Sequence, residues 1–484
     1  MPAPETLGLG AGGRASGSQP ATRSFVSEPR LHPPIVKMTG TDTDTAAGDF
    51  FLTAQNSGHN GPYMLNPAGD LLWYHQTASS GHGPAAFNFR VQSYQGQPVL
   101  TYWEGHLTLP TGYGNGVGLI LNEHYTRIHT VTAGAGYQRD GIDEHELTLG
   151  PNGTAWVVIT APVHANLRSV GGPSNGTVLD SIAQEIDIST NRVLWEWDAL
   201  HHVPLRSSYV SYIPGRPYDF FHLNSIQPLP NGHVILSARH TWAVYSVTEK
   251  TKKIDWELGG KHSSFNMGTG TRFYWQHDAQ LHSGGLLTVF DDGDAGGTNT
   301  KEESQSRALE IALHFRTRRA TLAHAYTHRP PLLAASQGNV QLLPNRNAFV
   351  GWGSQPDFSE YTQGASQIFS GSFIAPVNSY RAYRFNDFVG QPLGPPAVAV
   401  RRSSLHRHDA VYMSWNGATR VAKWRVQAGR SARGPFATVI SVGWTSFETW
   451  VRVAATAGPY FRVQALDSGG NVLPNGTSVA AKGP

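Results

Sequence analysis

The chain has 484 residues, 39% of them hydrophobic, no cysteine, and a formal net charge of +3. That length admits more than one domain and a sizeable core. The lack of Cys rules out disulfides, thiol catalysis and Cys-ligated metals. The absence of a Lys/Arg run gives nucleic acid and membrane surfaces no footing, and no window reaches the ~18 apolar residues of a transmembrane helix.

Gly (53) and Pro (31) are abundant, long amphipathic helical patterns are nearly absent, and short strands between turn signals are frequent. This is an all-β profile. In chain order, residues 1–30 read as a flexible leader rich in Gly, Pro, Ala and Ser, without the apolar stretch of a signal peptide. Gly8 to Gly13 matches G-x-G-x-x-G, but no strand precedes it and no helix follows, so it is no phosphate cradle.

From about residue 45 a repeat begins. "NFRVQSYQGQPVLTYW" starts at Asn88, "HELTLGPNGTAWVVIT" at His145, "FHLNSIQPLPNGHVILSARHTW" at Phe221, "HDAQLHSGGLLTVFDD" at His277 and "GNVQLLPNRNAFVGWG" at Gly338. Each is a strand, a tight turn and a second strand. Third and fourth strands follow, as in "WAVYSVTEKTKKIDWEL" and "ALEIALHFRTRRATLAHAY". Four-stranded units recurring at roughly 40–60 residues predict a β-propeller of about six blades between residues ~45 and ~385.

Placing the turn residues Tyr94, Pro151, Pro230, Ser283 and Pro344 in register exposes a polar slot. Six residues upstream lie Asn88, His145, Asn224, His277 and Gly338. Eight upstream, on the same strand face, lie Asp143, His222, Trp275 and Ser336. Pairing Pro230 with His233 predicts Asn224 opposite Arg239; the same rule sets His277 opposite Asp292 and His145 opposite Thr160. The connections at this end are long, roughly 104–116, 131–143, 161–180, 199–220, 259–275 and 293–306, where function usually sits.

Each residue has an ordinary reading too. A single His among 22 is more often structural than catalytic. Asn88 and Asn224 could be blade-to-blade hydrogen bonds. Arg206, Arg272 and Arg307, beside the long connections, read as solvated or loop-packing residues. Asn152-Gly-Thr, Asn175-Gly-Thr and Asn475-Gly-Thr read as turns. Three His at matched slots with an Arg across from them are harder to assign to packing. A metal site has little support: carboxylates are scarce in the slots, and His145-Glu146 lacks the second His of HExxH. A covalent route suits the residues better. A neutral imidazole attacks an electrophile, Arg239 with nearby His and Asn stabilises oxygens that gain charge, and another His moves the proton.

"FHLNSIQPLPNGHVILSARHTWAVYSV…IDWELGGK", "WQHDA", "QGNVQLLPNRNAFVGWGSQP" and "SYRAYRF" resemble the bacterial arylsulfotransferases, the PAPS-independent aryl sulfate sulfotransferases, over roughly residues 30–390. The resemblance implies a six-bladed propeller in which a His takes a sulfuryl group from an aryl sulfate ester and passes it to a phenol, with no cofactor. By motif, His277 matches the sulfated His. His222, Asn224 and Arg239 match residues around the transferred group, and His145 a further His. Asn88, Trp275, Asp292 and Asn339 are the expected substrate-binding residues. A secreted protein is implied, although the leader as written keeps a cytoplasmic one open. The chain departs from the family's periplasmic members in having no Cys for their disulfide and no room upstream for their added β-domain. A propeller enzyme acting on phenolic or anionic small molecules without sulfate transfer, or a non-catalytic propeller binding module, remains an alternative. No Cys-x-Pro-x-Arg sulfatase motif and no P-loop for PAPS is present.

Residues 385–395 read as a linker. Beyond it, over 396–484, about seven short strands predict an immunoglobulin- or fibronectin-III-like sandwich with Trp415, Trp424, Val426, Phe461 and Val463 in its core.

Overall fold

The structure, a computed structural model, describes residues 21–40, 44–77, 84–108, 112–297, 299–402 and 407–483. The chain is all-β, with eight sheets among the described residues. Most of the expected leader, including the glycine motif at 8–13, lies outside the described residues. From Thr22 onward the chain is pinned: Thr22 bridges Pro34, and Phe25 packs on Phe447 at 4.5 Å.

Six sheets follow one another. The second runs through Ala85–Tyr94, Gln97–Thr108, Tyr113–Leu121 and Arg127–Val131; the third through Leu147–Leu149, Thr154–Ala165, Gly176–Asp187 and Val193–Asp198. The fourth comprises Leu223–Leu229, His233–Ala238, Ala243–Thr248 and Ile254–Gly259; the fifth His277–Leu281, Leu286–Asp291, Arg307–His314 and Arg319–Tyr326. The first and sixth exchange the chain ends. Asp49–Ala54, Gly61–Leu65 and Leu71–Tyr74 take Tyr383–Phe385 as their fourth strand. Asn339–Leu342, Ala348–Gly351, Asp357–Tyr361 and Gln367–Phe373 take Val36–Thr39 as a fifth. Each sheet packs on the next, and the sixth returns to the first.

The fourth sheet shows why these residues fold this way. Gly232, at φ 74°, supplies the left-handed residue that closes the Pro230-Asn231-Gly232 turn. The strand it launches, His233–Ala238, is buried on both faces after its first residue, because a neighbouring sheet covers each side. Burying each Val, Ile or Leu there contributes about 1.5–3 kcal/mol. A recurring Gln joins the sheets. The Gln227 amide donates to the Leu281 carbonyl (3.1 Å) and accepts from its N–H (2.6 Å). Gln92 does the same to Leu147 and Leu149, and Gln341 to both backbone groups of Arg384.

Two sequence expectations are corrected. The connections expected over 104–116 and 161–180 are not open loops; they are the ends of long hairpin arms, with Thr108 paired to Tyr113 and Ala165 to Gly176. The hairpin register is also shifted. Leu229 pairs with His233, and a bulge between Leu223 and Ser225 leaves Asn224 without a ladder partner, so Arg239 donates its N–H to the His222 carbonyl at 3.0 Å. His277 is paired with Phe290, not Asp292, and Asp143 rather than His145 meets the third sheet's second strand, at Val158. A bulge inserts one residue that counting from the turn cannot see.

The last two sheets, Ala397–Arg402 with His408–Ser414 and Thr449–Ala454, and Phe436–Gly443 with Lys423–Gly429, Tyr460–Leu466 and Val472–Thr477, share one core. Trp415, Trp424, Val426, Phe461 and Val463 are all in it, as expected. This unit docks on the first two sheets. The Asn416 amide bonds both backbone groups of Tyr74, and Tyr125 donates to the Gly417 carbonyl at 2.7 Å.

Candidate active site

The starts of the inner strands carry the polar slots into one buried cluster. Three imidazoles meet there. The His145 ring lies edge-on to His222 at 4.9 Å and parallel to His277 at 6.5 Å. All three are at most 3% exposed. A fourth imidazole, His240, stands 4.7 Å from His222.

Every one of these rings is held at Nδ1 by a carboxylate. His277 Nδ1 lies 2.7 Å from Asp292 Oδ2, and His222 Nδ1 2.7 Å from Asp219 Oδ2. His240 Nδ1 shares Asp219, at 3.1 Å, and also meets its carbonyl at 2.9 Å. His145 Nδ1 bonds Asp143, whose other oxygen accepts from Thr160 at 3.0 Å. Pairing at Nδ1 fixes ring orientation. At His277 the tautomer follows from its neighbours. The Gln337 N–H donates to Nε2 at 3.2 Å, so the ring proton is on Nδ1.

Electrostatics reinforce this. Burial, then the charge of Arg239 and the other rings, holds His277 well below the usual imidazole range, so it is a neutral base. Burial also lowers His145, against the pull of Asp143. Burial pushes Asp292 well above the usual carboxylate range, with Arg239 opposing. For Asp219 burial works upward, but His240 and His222 outweigh it and hold the carboxyl well below its usual range.

Arg239 lies over the Trp275 ring at 5.2 Å, reaches His240 Nε2 at 3.2 Å and donates to the Ala335 carbonyl at 2.8 Å. Its burial lowers it to about 10. Trp275 is fixed through its N–H to the Thr300 carbonyl. Asn224 sits at the bulge, donates to the Gln276 carbonyl at 2.7 Å, and its own Oδ1 is buried without a partner.

Two expected residues belong elsewhere. Asn88 lies in a polar network with Glu146, Tyr383 and Arg381. The Asn339 amide is consumed by both backbone groups of Ala382 and serves as a sheet-to-sheet joint.

The sequence reading missed Asp219, the separate place of His240, and Arg381. Arg381 has no exposed surface and meets Glu146 at 3.1 Å, Asp278 at 3.5 Å and the Asn224 carbonyl at 2.9 Å. Asp219 was detectable three residues before His222 in "YDFFH", and Arg381 lies in the quoted "SYRAYRF". Carboxylates are scarce in the slots themselves, but neighbouring positions bring them to the rings. Asp219 with His222 and His240, and Asp143 with Glu144 and His145, each bring their ligand atoms within 4.8 Å. These trios are the residues that could hold a divalent cation; as they stand, imidazole–carboxylate hydrogen bonds use the same atoms.

Among known proteins, the family profile described as Arylsulfotransferase (ASST) matches residues 90–373. No curated protein matches the chain. Among solved structures, a protein of unknown function from Bacteroides caccae is 11% identical, with a TM-score of 0.42 over 69% of this chain and 98% of that one. A streptogramin B lyase is 10% identical (TM-score 0.36; 78% and 94% covered), and virginiamycin B lyase from Staphylococcus aureus 10% identical (0.32; 92% and 98%). Likeness at that level carries no argument about function.

Proposed function

The chain belongs to the arylsulfotransferase family, and on that premise we propose that it transfers a sulfuryl group from an aryl sulfate ester to a phenolic acceptor, independently of PAPS, through a sulfated His277. The observation that carries this reading is the state of His277: Nδ1 bonded to Asp292, Nε2 unprotonated, and the ring kept neutral by burial and Arg239. A neutral, oriented imidazole is a nucleophile ready without prior deprotonation.

In the first half-reaction the Nε2 lone pair, giving up its hydrogen bond from the Gln337 N–H, attacks sulfur. The S–O bond to the arene breaks, and the leaving oxygen takes a proton from His222, whose ring is oriented by Asp219. Asp292 accepts the Nδ1 hydrogen bond while charge builds on the ring. Arg239 supplies a fixed fork of donors for the sulfuryl oxygens, which a Lys cannot reproduce. In the second half the acceptor hydroxyl returns its proton to His222, its oxygen attacks sulfur, and the N–S bond breaks to restore His277. His145 and Asn224 line the same cluster and complete the polar surround.

In this reading the six sheets are the blades of a propeller over residues 31–390, and 396–484 form an immunoglobulin- or fibronectin-III-like sandwich. The small-molecule partners are the aryl sulfate and the phenol, and the family resemblance favours a secreted protein.

The test is intact mass. After exposure to an aryl sulfate without acceptor, the protein should gain one sulfuryl group, mapped by fragmentation to His277, and lose it when a phenol is added. Release of the donor phenol with no adduct, or an adduct on another residue, would overturn the covalent assignment.

A further inference from the structure

Outside the imidazole cluster, the structure holds a cavity of about 590 Å³, within the size range of small-molecule sites. Its aromatic wall is the Tyr209–Trp242 pair, stacked at 3.6 Å and 12°. Trp242 stands edge-on to Tyr274 at 5.1 Å and to Trp275 at 5.3 Å. Trp275 in turn lies beneath Arg239, so the two tryptophans separate this cavity from the cluster. Gly259 and Gly260 allow the close passage: a Cβ on Gly259 would come within 2.6 Å of the Trp242 carbonyl and within 3.0 Å of the Phe273 ring.

Lys261, Ser263, Asn266, Arg272 and Glu302 supply the polar groups of the lining. Lys261 lies 4.7 Å above the Tyr209 ring and is anchored by the Arg206 and Ser208 carbonyls. Arg272 is exposed and lines both this cavity and a smaller neighbour of about 310 Å³. The nearby Glu303 is taken by Arg307 at 3.0 Å, and Glu302 is the acid that lines the larger cavity. A flat aromatic wall and two cations against one acid together describe the complement of one ligand type.

The geometry points to this cavity as a second binding site, for a planar aromatic acid that lays its ring along Trp242 and sets its carboxylate against Arg272. It is separate from the sulfuryl-transfer site and stands whether or not that activity does.

The experiment is calorimetric titration of the full-length protein, at low ionic strength, with 2-naphthoate and its uncharged isostere 2-naphthamide. A charge-assisted hydrogen bond corresponds to a preference for the acid of about tenfold or more. Arg272→Gln should bring the ratio to near one without weakening the amide. Trp242→Leu should weaken both ligands by a similar factor of about ten. His277→Asn should change neither, which separates this site from the imidazole cluster. Equal binding of acid and amide by the unaltered protein, a preference that persists in Arg272→Gln, or loss of binding in His277→Asn would each overturn the assignment. Because Arg272 is exposed, its replacement leaves the fold intact, checked by an unchanged melting profile. Absence of a sulfuryl adduct alongside a normal naphthoate titration would count against the proposed activity alone.

Discussion

Two arginines in the site illustrate opposite uses of a buried charge. Arg381 is neutralised by Glu146 and Asp278 within a closed network. Removing it strands two buried acids, so Arg381→Met should cost about 3–5 kcal/mol, read as a lower denaturation midpoint. Arg239 instead lies beside the neutral His277 and lowers its proton affinity. As the proposed nucleophile, His277 must be unprotonated, so transfer should survive acidification past the ~6.5 of ordinary imidazole, with the acid limb of kcat/KM lying lower. Arg239→Met removes part of what depresses His277, and its limb should move to higher pH. Arg239→Lys keeps the charge and should leave the limb in place, yet lose rate through the lost fork, on the order of 10²-fold. An unmoved limb in Arg239→Met would contradict the electrostatic role. The sequence showed His145, His222, His277 and Arg239 because they occupy matched slots. Arg381 stayed hidden because its partners come from three distant sheets. Asp219 belongs to a two-residue strand, Tyr218–Asp219, that is outside the repeat.

At the scale of elements, the hairpins were legible wherever a turn signal such as Pro-Asn-Gly separated apolar runs. Their register was not. Bulges interrupt the inner strands after Phe87, Leu223 and His277, at the polar slots themselves. Asn88, His222 and Asp278 there take φ of 58°, 58° and 52°, a conformation counting cannot detect. This also explains how His277 reaches Asp292 without being its ladder partner. The docking of the C-terminal unit rests on a similarly tight element. Gly417 has φ 95°, and a Cβ there would lie 2.4 Å from the Tyr125 ring. Gly417→Val should therefore release this unit from the first two sheets, and Asn416→Ala, which strands both backbone groups of Tyr74, should loosen it by about 2–6 kcal/mol. In calorimetry the C-terminal transition should separate from the main one in Gly417→Val while sulfuryl transfer continues; a single unsplit transition would argue against an independent core.

Across the whole molecule, the Gln joints make neighbouring sheets interdependent. Gln341 ties the sixth sheet to the strand that completes the first, and Gln227 ties two sheets in mid-chain. Leaving two backbone groups unpaired costs about 2–6 kcal/mol in either place. If the six sheets unfold as one body, Gln341→Leu and Gln227→Leu should lower the same transition by similar amounts. A separate early transition in Gln341→Leu alone would mean that the ends open independently.

The exchange of ends also has a consequence for how the protein is made. Asp49–Ala54 emerges early from the ribosome, but its partner Tyr383–Phe385 is encoded near the end of the six-sheet segment. At ~5–20 residues per second, roughly 330 residues of translation keep that apolar edge unpaired for about 20–60 seconds. The nascent chain must pass this interval with an open edge that invites pairing with other chains. Cellular yield therefore depends on elongation speed and on chaperone cover for the first sheet, independently of how stable the finished fold is.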